Sequence, residues 1–417
     1  MAGVNISNVG LLFTRYLDGV VDTLNHSSRA RQLVKKDDSW TGDHIEGRVH
    51  VQRSGAIQAV EDGGAFPTAN KQTYAAYKAY RKFLAGSIQL TDGVMATASK
   101  SKNVARDVIT SEVRGMMRDM LKWENGMFFR DGTGAVAQFV ETDPSSQTTT
   151  EVDDARMLWE GVTYDVYDNA SLSSSPTKHG TATISTVTEA PTAAGNFTIT
   201  TDSALPASLA FGTSGDYLVW QNSVNRCPNG LQSLVDDTSG TFQNINTATY
   251  PHYTSLVLSN SGTNRDLTPS LFRQMLAGLY QKSGSEKPAS GLTVLTNSWQ
   301  AINVEELYEG ELRLSPQTKT AGLAVASFQS ALGKIDILTD SDALFHRMFF
   351  VDFSQIYRAV QRRLSWRRQG GSIFLRSDTS GIWTATALEI CEYYIKGRHT
   401  SGRIDDLNED PATAYGQ

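Results

Sequence analysis

From about Asn103 to Phe129, the residues Ile109, Val113, Met116, Met120, Trp123 and Met127 recur at alternating spacings of four and three. That is the period of one apolar helix face. Arg106, Glu112, Arg114, Arg118, Asp119 and Lys122 fall at other positions. The pattern predicts a single amphipathic rod, about 40 Å long at 1.5 Å per residue, closed by the turn-rich Arg130-Asp131-Gly132-Thr133-Gly134. A coiled coil is not expected, because the repeat lasts fewer than about four heptads.

The preceding segment, Gly42 to Leu90, has a different texture. Val49 and Val51 alternate with Arg48, His50 and Gln52, a Glu61-Asp62-Gly63-Gly64 tip follows, and then come Tyr74, Tyr77, Tyr80, Phe83 and Ile88. The alternation predicts two extended arms joined by a loop. The alternative is a helix from Thr73 to Leu84, whose alanines are good helix formers. Either way the segment has too few large aliphatic residues for a core of its own, so a long hairpin here needs an external surface to lie on.

Between about Glu151 and Asn260 the chain is rich in Ser, Thr, Gly and Asn, with short β-type runs at Thr181–Val187, Phe197–Thr201 and Tyr217–Gln221; this predicts a β meander or barrel. Helical patterns return at Pro269–Tyr280, capped by Thr268, and at Asn297–Tyr308. Strands are expected at Leu292–Thr296 and Ile335–Thr339, making a small α/β unit. Further strands are expected from Met348 to Tyr394, with Arg358, Arg362 and Arg363 on one extended run.

Composition narrows the class. The 417 residues are 40% hydrophobic and 20% charged, with a net charge of -6, which describes a folded chain of two or three domains and not a basic nucleic-acid module. Charge is uneven: Lys71 to Lys122 holds ten basic and four acidic residues, whereas Trp123 to Gly262 holds fifteen acidic and four basic ones. The two stretches are expected to meet different surroundings. Two distant cysteines, Cys227 and Cys391, exclude a disulfide scaffold. The start of the chain lacks a signal-peptide pattern, and no stretch approaches the roughly 18 apolar residues of a membrane helix. A cytosol-like site of synthesis is the expectation.

Catalytic patterns are missing. The seven histidines form no zinc-hydrolase pair, no phosphate-binding Gly-Lys-Ser/Thr loop occurs, and Gly212-Thr213-Ser214-Gly215 lacks nucleophile-elbow spacing. Asp336, Asp340 and Asp342 lack the Gly and Glu of a calcium loop and read as a solvated strand end. No enzyme activity, metal or cofactor is expected. The strongest electrostatic feature is the arginine cluster Arg358, Arg362, Arg363, Arg367 and Arg368, free of acidic residues in sequence; a partner surface is favoured for it over a solvated edge strand.

Taken in order, these parts resemble the major capsid proteins of tailed double-stranded-DNA bacteriophages, the Hong Kong 97-type fold. The resemblance rests on an N-terminal arm, a long hairpin, a spine helix ending Met127-Phe128-Phe129-Arg130-Asp131-Gly132-Thr133-Gly134, and Leu388–Tyr394 with Arg403-Ile404, which is similar to the strand that returns to close the peripheral domain. It implies an α+β chain with an arm at 1–40, an extended E-loop at 41–92, a peripheral domain with the spine helix at 93–150 and an enlarged β-rich extension at 151–227. An axial α/β domain at 228–370 and return strands with a C-terminal tail at 371–417 complete it.

The resemblance further implies hexamers and pentamers in an icosahedral shell around double-stranded DNA. Scaffolding, portal and decoration proteins are the implied partners, with synthesis in the bacterial host cytoplasm and residence in the virion. Arg48, Arg53, Lys71, Tyr74, Tyr77, Tyr80, Arg358, Arg362 and Arg363 are the expected contacts between copies, and Lys100, Lys102 and Lys122 are expected to face the interior. The rival readings are an encapsulin-like nanocompartment and a phage tail or adhesin component.

Overall fold

The computed structural model describes residues 29–100, 104–140, 147–168, 172, 175–188, 196–206, 209–210, 215–284, 291–308, 326–330, 333–368, 372–376 and 381–409. Most of the N-terminal arm therefore lies outside the described residues.

The expected rod is a helix from Val104 to Phe128. Its apolar stripe rests on the strand Lys82–Thr91, where Gly86 leaves room for two methionines: a β-carbon on Gly86 would stand 2.8 Å from the sulfurs of both Met116 and Met120. That strand pairs along its whole length with Ile382–Ile395, which pairs in turn with Ile356–Trp366, and Lys35–Asp37 adds a parallel edge. With Leu375–Arg376 these form a five-stranded sheet. The sequence division placed Ile356–Trp366 in the axial unit, but its partners put it in this sheet with the spine helix.

The β-rich stretch forms a six-stranded antiparallel sheet. Its order is Ala135–Gln138, Tyr217–Trp220, Thr163–Tyr167, Lys178–Val187, Phe197–Thr201 and Thr149–Val152. Its core of Phe139, Tyr164, Val166, Ile184, Ile199 and Leu218 includes Met127 of the spine helix. Trp220 meets Trp159 and Tyr164 edge to face, with ring centroids 5.0 and 5.2 Å away, and the Trp159 contact ties the sheet to the loop before Thr163.

A second six-stranded sheet is mixed and is built from Leu256–Leu258, Gly402–Ile404, Met348–Asp352, Leu292–Thr296, Gly333–Thr339 and Ala326–Ser330. The helix Pro269–Ser283 covers it with Leu271, Phe272, Met275, Leu276 and Leu279. Thr268 caps this helix as expected, its hydroxyl oxygen accepting from the Leu271 amide. Arg403-Ile404 does not return to the peripheral unit. It pairs with Leu256–Leu258 and Met348–Phe350 in the mixed sheet, where Gly402 lets the backbone pass within reach of Leu256 and Met275.

The exit of the spine helix has a steric explanation. Gly132 and Gly134 adopt φ of 91° and 88°, values that favour glycine. Asp131 accepts hydrogen bonds from the Thr133 amide and hydroxyl. Gly230 crosses the helix end so closely that a β-carbon there would stand 2.1 Å from the Arg130 carbonyl oxygen.

Candidate assembly surface and the ionic junction beneath it

His44–Gln52 and Thr73–Tyr80 pair antiparallel into the expected hairpin, and the alternative helix over Thr73–Leu84 does not form. The hairpin is held at its base. Tyr77 stacks on Tyr394, which stacks on Tyr357, at centroid separations of 5.7 and 5.3 Å. The Lys78 amide donates to the Gln243 carbonyl, and the Asn244 side chain donates to the Ala76 carbonyl.

Beyond the base, the arm is held by contacts within itself. Ser54 donates to the Asn70 carbonyl, Gln58 to the Ala65 carbonyl, and the Gly64 amide to the Glu61 carbonyl at the tip. Ile57 and Phe66 are 88% exposed, and Tyr74 and Tyr80 each more than half so. Apolar side chains of this size on a projecting arm are the mark of a surface made to be covered.

Arg48, Arg53, Lys71, Tyr74 and Tyr80 are exposed on this hairpin. Tyr77 is not: it is buried in the tyrosine stack, because its strand face turns toward the body. Arg363 is exposed and pairs with Asp38, and Arg362 donates to Ser365. Arg367 and Arg368 are exposed.

Arg358 must be withdrawn from the contact set. It is only 3% exposed and is held by Glu124 of the spine helix at 2.6 Å and by Glu389 of the neighbouring strand. Arg31 reaches the second oxygen of Glu124 at 2.5 Å, and the Tyr393 hydroxyl donates to the first at 2.8 Å. Two guanidinium groups thus meet two carboxylates in a buried junction, the pairing that a charge removed from water requires. Burial opposes the Arg358 charge, but Glu124, Tyr393 and Glu389 outweigh it and hold its pKa above the ordinary value. Burial and then Glu124 raise the pKa of Glu389. Glu124, Glu389 and Cys391 converge closely enough to hold one ion, but the Arg358 guanidinium already binds both carboxylates, and burial raises the Cys391 thiol pKa.

Lys122 is withdrawn from the interior-facing set in the same way. It is buried two residues before Glu124 on the spine helix and pairs with Asp342 at 2.5 Å. Asn125 donates to Asp342 at 2.7 Å and to Asp340, and Asp340 also accepts from the Ala30 amide. The expected solvated strand end at Asp340 and Asp342 is therefore a buried acceptor pair, which helps fix the start of the described chain against the spine helix. Lys100 ends the helix Asp92–Lys100, and Lys102 lies outside the described residues.

Two further ionic clusters join the layers. Asp154 accepts from Arg130 and from both sides of the Arg156 guanidinium, which lies 3.8 Å over the Phe345 ring. Arg403 binds Asp236 and Asp405 while donating to the Gln232 and Val235 carbonyls at the end of the short helix Leu231–Leu234. No sequence pattern marked Glu124, Asn125, Glu389 or Asp154; the only signal was acidic residues inside apolar runs.

A projecting hairpin, a long spine helix over a β-sheet and a mixed α/β unit define a capsid shell fold. Residues 208–370 match the family model described as the SU10 major capsid protein. Among solved structures the chain is similar to one in the cyanophage A-1(L) capsid asymmetric unit, with a TM-score of 0.59 and 11% identity over 97% of this chain and 100% of that one. It is also similar to one in the capsid of the empty GTA particle, with a TM-score of 0.51 and 10% identity over 98% and 99%. An encapsulin complex from Synechococcus elongatus gives 0.42 at 8% identity over 98% and 97%, too low to carry an argument. No curated protein matches the sequence. The fold is the Hong Kong 97-type fold of tailed-phage major capsid proteins, as the order of parts implied.

Proposed function

We propose that this chain is a structural major capsid protein that self-associates into the hexamers and pentamers of an icosahedral shell around double-stranded DNA. The observation that carries this reading is the hairpin, which is tied to the body at its base while Ile57 and Phe66 stand almost fully exposed on an arm without a core. That surface is stabilised when a neighbouring copy covers it, and a closed shell supplies such a neighbour to every subunit.

In this reading the hairpin is the E-loop, and the spine helix with the five-stranded sheet is the peripheral domain. The antiparallel sheet extends that domain, and the mixed sheet is the axial domain. Arg48, Arg53, Lys71, Tyr74, Tyr80, Arg362 and Arg363 are the candidates for contacts between copies, and Lys100 and Lys102 for the DNA side, where basic groups offset phosphate charge. The role is structural, within the virion, with scaffolding and portal proteins as partners in assembly.

The test is deletion of Ile57 to Lys71, together with a gentler double variant, Ile57→Ser with Phe66→Ser. Both are expected to keep the thermal unfolding of the body and to lose shells in sedimentation and negative-stain microscopy. Full-size particles from the deletion variant would overturn the reading.

A further inference from the structure

A cleft of about 510 Å³ opens between the base of the hairpin and the body, lined by Val49 to Arg53, His252, Tyr253, Lys282 and His399. Four of these residues, Arg53, His252, Lys282 and His399, carry side chains that are basic or become so on protonation, and no carboxylate lines the cleft; the His50 ring packs instead on Tyr74 on the outer face of the hairpin. Lys282, at the end of the helix Pro269–Ser283, donates to the Thr254 hydroxyl at 3.0 Å and the Ser255 carbonyl at 2.8 Å. An ammonium carries three protons, so one remains for a ligand. Among the described residues Arg53 has no carboxylate partner.

His399 has its pKa lowered by burial and then by Lys282 and His252, with Asp352 opposing. Lys282 is lowered by burial, with Asp237 opposing and Arg398 adding to the effect. On the hairpin side, the nearby carboxylate Glu46 is already shared by His44 and Lys78.

We propose that this cleft is a binding site for a phosphate-class oxyanion, held jointly by Arg53 of the hairpin and by Lys282, His252 and His399 of the body, so that the ligand pins the hairpin base. Guanidinium, ammonium and imidazolium donors converging on one anion make short charge-assisted hydrogen bonds. The volume lies within the range of small-ligand clefts, about 300 to 1,000 Å³, so it admits a phosphate carried on an organic group as well as the free ion.

The experiment is titration calorimetry on the purified protein with inorganic phosphate and, separately, ribose 5-phosphate, against chloride at matched ionic strength, at pH 6. Saturable binding is expected. Lys282→Met is expected to weaken it by about tenfold or more, and Arg363→Ala, outside the cleft lining, to leave it unchanged. Equal affinities would assign the free ion; tighter binding of the sugar phosphate would assign a phosphorylated organic ligand. Should Lys282→Met misfold, Arg53→Ala decides, since that side chain is exposed and supports no packing. Absence of binding at pH 6, or binding indifferent to both Lys282→Met and Arg53→Ala, would overturn the proposal.

Discussion

Gly47 lies against the ring of Tyr77: a β-carbon at position 47 would stand 2.2 Å from the phenol oxygen and 2.3 Å from the ring carbon bearing it. The two residues are register partners on the hairpin, so the missing side chain on one strand is what lets the aromatic ring of the other lie flat and reach the stack on Tyr394 and Tyr357.

Gly47→Ala therefore sets two effects against each other. Lost chain entropy favours alanine by about 0.4–1 kcal/mol where the backbone allows it, whereas overpacking costs about 1–3 kcal/mol. At 2.2 Å the clash wins. A lower melting temperature and faster proteolysis within 53–72 are expected, and a variant as stable as the parent would show that Tyr77 has another place to go.

The buried junction and the exposed pair make a matched comparison. Arg358→Met leaves Glu124 and Glu389 without their shared cation and is expected to cost about 3–5 kcal/mol in urea denaturation. Arg363→Ala, whose pairing with Asp38 is largely solvated, is expected to cost less than about 1 kcal/mol. Adding Glu389→Gln to Arg358→Met should recover part of the loss, because Glu389 then carries no unpaired charge while Glu124 keeps Arg31 as its partner. Equal losses for the two arginine variants would remove the distinction between junction and surface.

On the spine helix the contrast is between faces. Met116 packs over Gly86, so Met116→Asp places a carboxylate against a strand with no partner and is expected to cost about 1–3 kcal/mol. Arg118 is exposed, and Arg118→Ala should change stability by about 0.5 kcal/mol or less. Thermal melts of the two variants check this, and similar small shifts would contradict the amphipathic assignment.

What could be read from sequence, and what could not, follows from the range of the interactions. The spine helix and the helix capped by Thr268 were legible because their information is local: an apolar period and a hydroxyl three residues before an orphan amide. Thr73–Leu84 was ambiguous because its alanines suit a helix and its tyrosines, as β-prone residues, suit a strand; pairing with His44–Gln52 decides it. Arg358 was misread as part of a surface cluster because its carboxylates lie 234 and 31 residues away. Lys122 was misread because Asp342 lies 220 residues away. Charge counted along the chain says nothing of such partners. The placement of Arg403-Ile404 failed for a related reason, since a three-residue strand carries no mark of the sheet it will join.

Glu392 gives the protein a pH dependence of definite sign. It is 1% exposed and accepts a hydrogen bond from the Asn229 amide at 2.7 Å. Burial pushes its pKa up to about 7 from 4.5, against the smaller opposing effects of the Asn229 amide, Lys82 and the Tyr393 amide. In the unfolded chain this carboxyl loses its proton near its ordinary value, while in the folded chain it keeps it. Stability contributed by the neutral form is thus fully present below about pH 4.5 and is lost as pH rises toward 7, on the order of 3 kcal/mol in all. Glu389, also raised by burial, adds to the same slope, whereas Asp154, held below the usual carboxylate range, acts only at lower pH. Glu392→Gln keeps an oxygen for the Asn229 amide and cannot ionise. Denaturant unfolding of parent and variant at pH 5, 6, 7 and 8 should show the parent losing stability across the series and the variant losing clearly less, so that the variant becomes the more stable of the two at pH 8. Parallel curves would mean that Glu392 ionises at its ordinary pKa, and that Asn229 and Lys82 compensate its burial in full.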